Sequence, residues 1–375
     1  MDGLDLRSER KTLLLVIGGF LLLYFMPMDS TLFTGAILSG FTLLNEYARE
    51  HVLTCLVPAF FIAGAIAVFV RKDIVMRYLG SQANKAVSYS LAAVSGSILA
   101  VCSCTILPLF AGIRKRGAGL GPAITFLFSG PAINIAAMFL TLSVLGVKIG
   151  VARIVAAILL SLLVGLTMQL IFREQPDEGG LFIEESTGVE KGRHLIVPMF
   201  VSMVAVLVVN GLPLVPLLKY PLMAALVAAV AAIAAFGLQR ETVSEWLAET
   251  WGFSKSLLPI LFVGVFVAGF IMPFIPEELV VSLVGQNSIP ANAVAAVFGA
   301  FMYFSTLTEV PILQALIAKG MADGPALSLL LAGPSLSLPN MLVIRKVLGT
   351  TKTAVYVLLV VFYATLGSWV FGLIW

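Results

Sequence analysis

The chain has 375 residues, 60% of them hydrophobic and 11% charged, with a mean hydropathy of +1.05 and a formal net charge of +3. A soluble domain of this length needs far more charge to cover its surface, so the composition places the protein in a bilayer. Helix-length apolar blocks without strand-like alternation exclude a membrane β-barrel, and cations scattered over loops give no nucleic-acid face.

In chain order, "MDGLDLRSERK" precedes an apolar run from Thr12 to about Met28. No small-residue cleavage site follows it, so it reads as a retained first span. Residues 1–172 form a first transmembrane half with a repeat core at 52–172. Its centre is "AVCSCTILPLFAGIRKRG" (100–117), with two of the chain's three cysteines one residue apart. Residues 173–193 read as a cytoplasmic loop too short to fold as a domain, and 194–255 as connecting spans. Residues 256–375 form a second transmembrane half.

The halves are related by an ungapped match at an offset of 203, with 13 identities in 45 pairs between 102–146 and 305–349. Pro108/Pro311, Gly117/Gly320, Gly121-Pro122/Gly324-Pro325, Gly130-Pro131/Gly333-Pro334 and Gly146/Gly349 all coincide. Gly and Pro fix backbone shape rather than greasiness, so the halves share their interruptions. Interrupted apolar segments at matching places point to a transporter's central site, because freed backbone survives in a membrane only against protein or a wet cavity. Kinks that merely allow close helix packing are the competing reading.

Charge chooses the topology. With 86–116 and 290–319 as re-entrant hairpins, only Arg49, Lys148, Arg153, Lys219 and Lys319 of the 23 Lys and Arg fall outside. The positive-inside rule favours this arrangement. The expected fold is an all-α polytopic membrane protein of two inverted, repeated halves, with about nine full spans, two hairpins and a cytoplasmic N-terminus. A plain bundle of 10–12 spans is the alternative.

Cys102, Ser103, Cys104 and Thr105 then fall at a hairpin turn near mid-membrane. A thiolate there is costly unless a soft cation binds it, so the pair suits a thiophilic substrate such as trivalent arsenic or antimony, Cu(I), Hg(II) or Cd(II). In an extended turn alternate residues project similarly, so two sulfurs converge on one atom as soft metalloid ligands. The competing reading is two small buried hydrophobes. Cys55 reads first as packing, and joins the site only if its span meets the hairpin. The repeated breaks place substrate near 102–105, Ser129–Asn134 (Pro131 included) and their counterparts, among them Thr306 and Thr308. Asn340 and Asn134 follow the Gly-Pro breaks and either cap a half-helix or line the cavity. Met138 and Met341 read as core.

In "STLTEVP", Glu309 is the acidic residue most deeply embedded in apolar sequence. An intramembrane carboxylate is a functional candidate, here for proton coupling, against a hydrated Glu at a hairpin mouth. Three cysteines and two histidines near span ends cannot build structural zinc or iron–sulfur sites. With no P-loop or dinucleotide motif either, no cofactor and no enzymatic activity are expected, and transport is driven by a gradient.

"CSCTILPLFAGIRKRGAGLGPAITFLFSGPAINIAAMFLT" resembles the predicted-permease family that includes the organoarsenical efflux permeases. That family reads C-x-C-G-[IV]-[VI]-P-L, a basic G-A, then F-L-x-S-[GA]-P-A-x-N, and "TEVPILQALIAKGMADGPALSLLLAGPSLSLPNM" is similar to its second block. Characterised members export trivalent organoarsenicals such as methylarsenite, with thiols implied in recognition. Residue by residue the resemblance implicates Cys102, Cys104, Ser129, Pro131 and Asn134. The chain departs from the pattern at Thr105, where glycine is usual, and at Ile135, where proline is common. A monomethylated As(III) centre has two exchangeable sites, matching two thiols.

The expected function is therefore secondary export of trivalent organoarsenicals or another soft metalloid across the cell membrane by alternating access. A heavy-metal cation or sulfur-compound permease of the same fold is the nearest alternative. A membrane thiol–disulfide relay at Cys102 and Cys104 is the alternative of another class. The expected partners are a small thiophilic substrate and the lipid bilayer, with no nucleic acid and homo-oligomerisation left open.

Overall fold

The structure, a computed structural model, describes residues 30–375 except 71, 81–82, 99–102, 134, 174–192, 212–214, 275–281 and 303–308. Before residue 30 it describes Leu13, Val16, Ile17, Phe20, Tyr24 and Pro27. Most of the expected first span and of the 173–193 loop therefore lies outside the described residues.

Among the described residues every regular element is helical, as hydrocarbon demands of a backbone that must bond within its own segment. α1 (Thr31–Tyr47) is capped by Ser30, whose hydroxyl accepts from the Phe33 N–H. It continues through a π-helical stretch, Ala48–Leu56, into α2 (Val57–Phe69). There follow α3 (Lys72–Leu79), α4 (Lys85–Ile98), α5 (Ser103–Lys115), α6 (Leu120–Ala132), α7 (Ile135–Val144) and α8 (Gly146–Ile171). The middle of the chain forms α9 (Arg193–Gly211), α10 (Pro216–Ala232) and α11 (Arg240–Ile271). The second half gives α12 (Ile289–Phe301), α13 (Glu309–Ala318), α14 (Asp323–Leu336), α15 (Leu338–Leu348) and α16 (Thr350–Ile374).

Among the described residues four helical segments are long and apolar enough to cross a membrane: Gly146–Ile171, Leu217–Gly237, Arg240–Phe274 and Thr350–Ile374. Counting α6 with α7, and α14 with α15, as bent single spans brings the number to six. By contrast α12 has 13 residues and ends at Met302 in extended backbone. At 1.5 Å per residue it reaches only about 20 Å, short of the roughly 30 Å of hydrocarbon.

The offset of 203 has a backbone counterpart. The axes of α6 and α7 bend by 46° and those of α14 and α15 by 47°. Gly117 and Gly320 have φ of 90° and 107°, and Gly146 and Gly349 have 88° and 84°. These left-handed conformations are ones that L side chains adopt at a cost, so the matched glycines mark the same turns in both halves. The helices entered from the first turns, α6 and α14, are the most enclosed in the molecule. Every residue from Leu120 to Ala132 and from Gly324 to Leu336 is buried. At the other extreme no residue of the 217–237 segment is buried, and its exposed Leu217, Tyr220 and Phe236 suit a lipid-facing helix.

Candidate functional site

Pro131 and Pro334 sit in the last turns of α6 and α14, where each helix ends inside the protein. Carbonyls released at such an end need donors from neighbouring protein or a wet cavity. The two halves supply them alike. Arg153 on α8 donates from Nε to the Ala132 carbonyl at 3.3 Å. Tyr356 on α16, 203 residues later, donates its hydroxyl to the Ser335 carbonyl, also at 3.3 Å and 203 residues on. Both side chains are fully buried. Asn340 adds a third donor in the second half, from Nδ2 to the Pro334 carbonyl at 3.3 Å.

On this matched scaffold the charges are not matched. Arg153, 0% exposed, also donates from Nη1 to Thr141 Oγ1 at 2.9 Å, and Thr141 donates in turn to the Ala137 carbonyl at 2.6 Å. Its Nη2 meets Glu309 Oε2 at 3.3 Å. Glu309, 1% exposed, opens α13 and so joins the second half to the first. The positions equivalent to Arg153 and Glu309 are Tyr356 and Ile106, both buried and uncharged. A lone charge in such a place is prohibitive, and removing one partner of a buried pair costs on the order of 3–5 kcal/mol. The second carboxylate oxygen, Oε1, has no hydrogen-bond partner among the described residues. It lies against Gly333, whose missing Cβ would sit 3.1 Å away.

A second ion pair stands nearer the surface along the same seam. Lys148 Nζ donates to Asp323 Oδ2 and to the Trp375 carbonyl, each at 2.9 Å. A cavity of about 180 Å³ lies beside it, lined by Leu145, Lys148, Ile149, Gln314, Ile317 and Asp323. Five residues of α8 separate Lys148 from Arg153, about 7.5 Å along the axis.

The residues expected at the site divide into several groups. Ser103 and Thr105 are buried, and Cys104 accompanies them in the first turn of α5. The extended turn expected there is therefore corrected for 103–105. These residues are helical, successive ones turn by about 100°, and alternate ones do not project together. A helix satisfies backbone groups that an extended turn in hydrocarbon would leave open. Ser129 is buried with its hydroxyl directed to the carbonyls of Ala92 (3.4 Å) and Phe126 (3.3 Å), which commits it to joining α6 to α4. Pro131 and Asn340 are buried at the breaks. Met138 and Met341 pack half-buried against the core. Cys102, Asn134, Thr306 and Thr308 lie outside the described residues, as do the side chains of Cys104 and of Cys55, whose backbone is in the π stretch.

Arg153, counted above among the five cations on the outer side, is not a surface charge: it is buried inside α8, about two turns from the start. The available signal was its place seven residues past Gly146, matching an interior Tyr356 beyond Gly349.

Residues 37–373 match a family described as predicted permease. The chain is 43% identical over 342 residues to the UPF0718 protein MJ0584 of Methanocaldococcus jannaschii, covering 88% of this chain and 94% of that one. It is 24% identical over 286 residues to the UPF0718 protein YraQ of Escherichia coli, covering 75% of this chain and 66% of the relative. With the UPF0718 protein YcgR of Bacillus subtilis it shares 26% over 125 residues, 32% of this chain and 42% of the relative. No solved structure matches the chain.

Proposed function

The chain belongs to the predicted-permease family, and from that premise we propose that it is a secondary exporter of trivalent organoarsenicals of the methylarsenite type. It works by alternating access between two inverted halves, and a proton taken up at Glu309 drives the cycle. The observation that carries this reading is a buried carboxylate with one oxygen unengaged among the described residues, set against Gly333 at a helix break that both halves repeat. A carboxylate so placed gains and loses a proton at the point where the helices are discontinuous, which is where transporters bind. Cys102 and Cys104 hold the soft centre, and Ser103, Thr105, Ser129, Pro131, Asn134, Thr306, Thr308 and Asn340 form its surroundings, with Cys55 a further candidate ligand.

In this reading the chain has nine spans and two re-entrant hairpins at 86–116 and 290–319, in halves 1–172 and 256–375 joined by a cytoplasmic loop and connecting spans. It lies in the cell membrane with the N-terminus cytoplasmic. The shortness of α12, which ends at Met302, supports a hairpin at 290–319. Contacts among helix ends and the turns beside them support the sidedness. Lys115 pairs with Glu249 and the Gly119 N–H reaches the Leu79 carbonyl, all on the inner side of this topology. Lys148 meets Asp323 and Trp375, and the Ala322 N–H reaches the Val284 carbonyl, all on the outer side.

The test is methylarsenite uptake into everted vesicles, with inorganic arsenite, copper and mercury in parallel. Cys102→Ser and Cys104→Ser should each abolish uptake of methylarsenite with membrane insertion intact, since Ser offers a harder oxygen ligand. Glu309→Gln should abolish gradient-driven uptake while substrate binding persists. Wild-type rates in both cysteine variants would remove the soft-substrate reading, and normal pH-dependent transport in Glu309→Gln would remove the coupling role.

A further inference from the structure

Besides the direct packing of α8 on α16 and of α6 on α14, α7 and α8 of the first half face α13 and α14 of the second, and α15 faces α5. Offset by 203, α7 with α13 and α15 with α5 are the same contact built twice. The seam at the first carries Arg153–Glu309 at its floor and Lys148–Asp323 near its mouth. The equivalent four positions are Tyr356, Ile106, Thr351 and Leu120, none of them charged at neutral pH. Packing alone does not explain the Arg153–Glu309 pair, because its equivalent positions are filled by buried, uncharged Tyr356 and Ile106.

The geometry points to the charged seam as a proton-released gate, in which Arg153 is the fixed counter-charge that latches the two halves together through Glu309. The inference rests on the reading of Glu309 as the coupling group and assigns that group its partner. A proton on Glu309 converts an ion pair into a single hydrogen bond to a neutral acid, removing most of the attraction across the seam. Arg153 does not follow Glu309, because Nε and Nη1 stay tied to Ala132 and Thr141 on its own half. The elements packed on α13 are α7, which has no ionisable residue, and α14, whose one ionisable residue is Asp323, already paired with Lys148. Among the described residues Arg153 is thus the charge that faces Glu309. The 180 Å³ cavity between Leu145, Gln314 and Ile317 gives water room at the Lys148 end of the seam, five positions of α8 before Arg153. In the proposed topology it opens outward, where an exporter driven by a proton gradient takes up its protons.

Hydrogen exchange followed by mass spectrometry tests this on the whole protein in nanodiscs, with no substrate present and rates corrected for pH. In the wild type, peptides over 141–153 and 309–317 should exchange at least about tenfold faster in mildly acidic than in mildly alkaline buffer, as for a lost buried pair. Peptides over 103–113 and 344–356, the uncharged seam, should not respond. R153Q and E309Q should each exchange fast in both buffers, and the charge swap R153E/E309R should regain protection in alkaline buffer. The double variant R153Q/E309Q leaves no unpaired charge, so it decides the matter if a single variant fails to insert: it should exchange fast and ignore pH. Wild-type protection with an intact pH response in that double variant overturns the latch, as does an equal response at both seams. Methylarsenite export failing while the seam response persists would remove the exporter reading alone. Export persisting without a seam response would remove the latch alone.

Discussion

The buried carboxylate of Glu309 depends on a neighbour that is not there. A Cβ on Gly333 would lie 3.1 Å from Oε1, so the unengaged oxygen occupies room that only glycine leaves. Gly333→Ala should displace the carboxylate from Arg153 or from α14, an overpacking cost of about 1–3 kcal/mol. We expect vesicle transport to fall by about fivefold or more with insertion unchanged, whereas Gly252→Ala, with nothing within 4 Å of its Cβ, should transport normally. Equal rates in the two variants would mean that the oxygen is free to move. Asn340 is a second dependent position. Asn340→Leu keeps the shape but leaves the Pro334 carbonyl without its donor, at a cost of about 1–3 kcal/mol. The melting temperature in detergent should drop measurably, and an unchanged value would mean the carbonyl has another donor.

At the scale of elements, the joints matter more than the helices. α7 passes into α8 at Gly146 and α15 into α16 at Gly349, at nearly the same positive φ, with open space around both. An alanine there meets no atom, so its cost is the positive-φ backbone alone, about 1–3 kcal/mol. Gly146→Ala and Gly349→Ala should therefore destabilise the protein by similar amounts in denaturant titration. A large difference between them would show that the joints carry unequal loads despite their common geometry. The enclosure of α6 and α14 follows from the same design. Their Gly-Pro ends stop each helix inside the protein, and the neighbouring α8 and α16 supply the donors that make such an end tolerable.

At the scale of the molecule, the two ends carry different contacts: Lys115 with Glu249 at one, Lys148 with Asp323 and Trp375 at the other. If the halves are inverted, a membrane-impermeant thiol reagent applied outside should label a cysteine introduced at Glu277 or Glu278 but not one at Lys115. Labelling of both from one side would replace the inverted halves with a parallel repeat. Asymmetry on a repeated frame is also what a directional carrier needs, since two equally charged seams would respond to protons alike.

Hydropathy, Gly-Pro spacing and the offset of 203 were legible in the chain because they express local constraints. An apolar run must be helical in lipid, and a glycine at a positive φ or a proline at a helix end acts on its own backbone. Glu309 could be singled out for the same reason, its apolar surroundings being written on either side of it. Its partner could not. Arg153 is 156 residues away, and its distance from Lys148 reads equally well as a loop or as the second turn of a helix. Nor could the chain tell that Ser129 and Asn340 spend their hydrogen bonds on backbone carbonyls, or that α5 is helical from Ser103. Those outcomes depend on which helix lies opposite, and periodicity gives a helix its apolar face without naming what that face will meet.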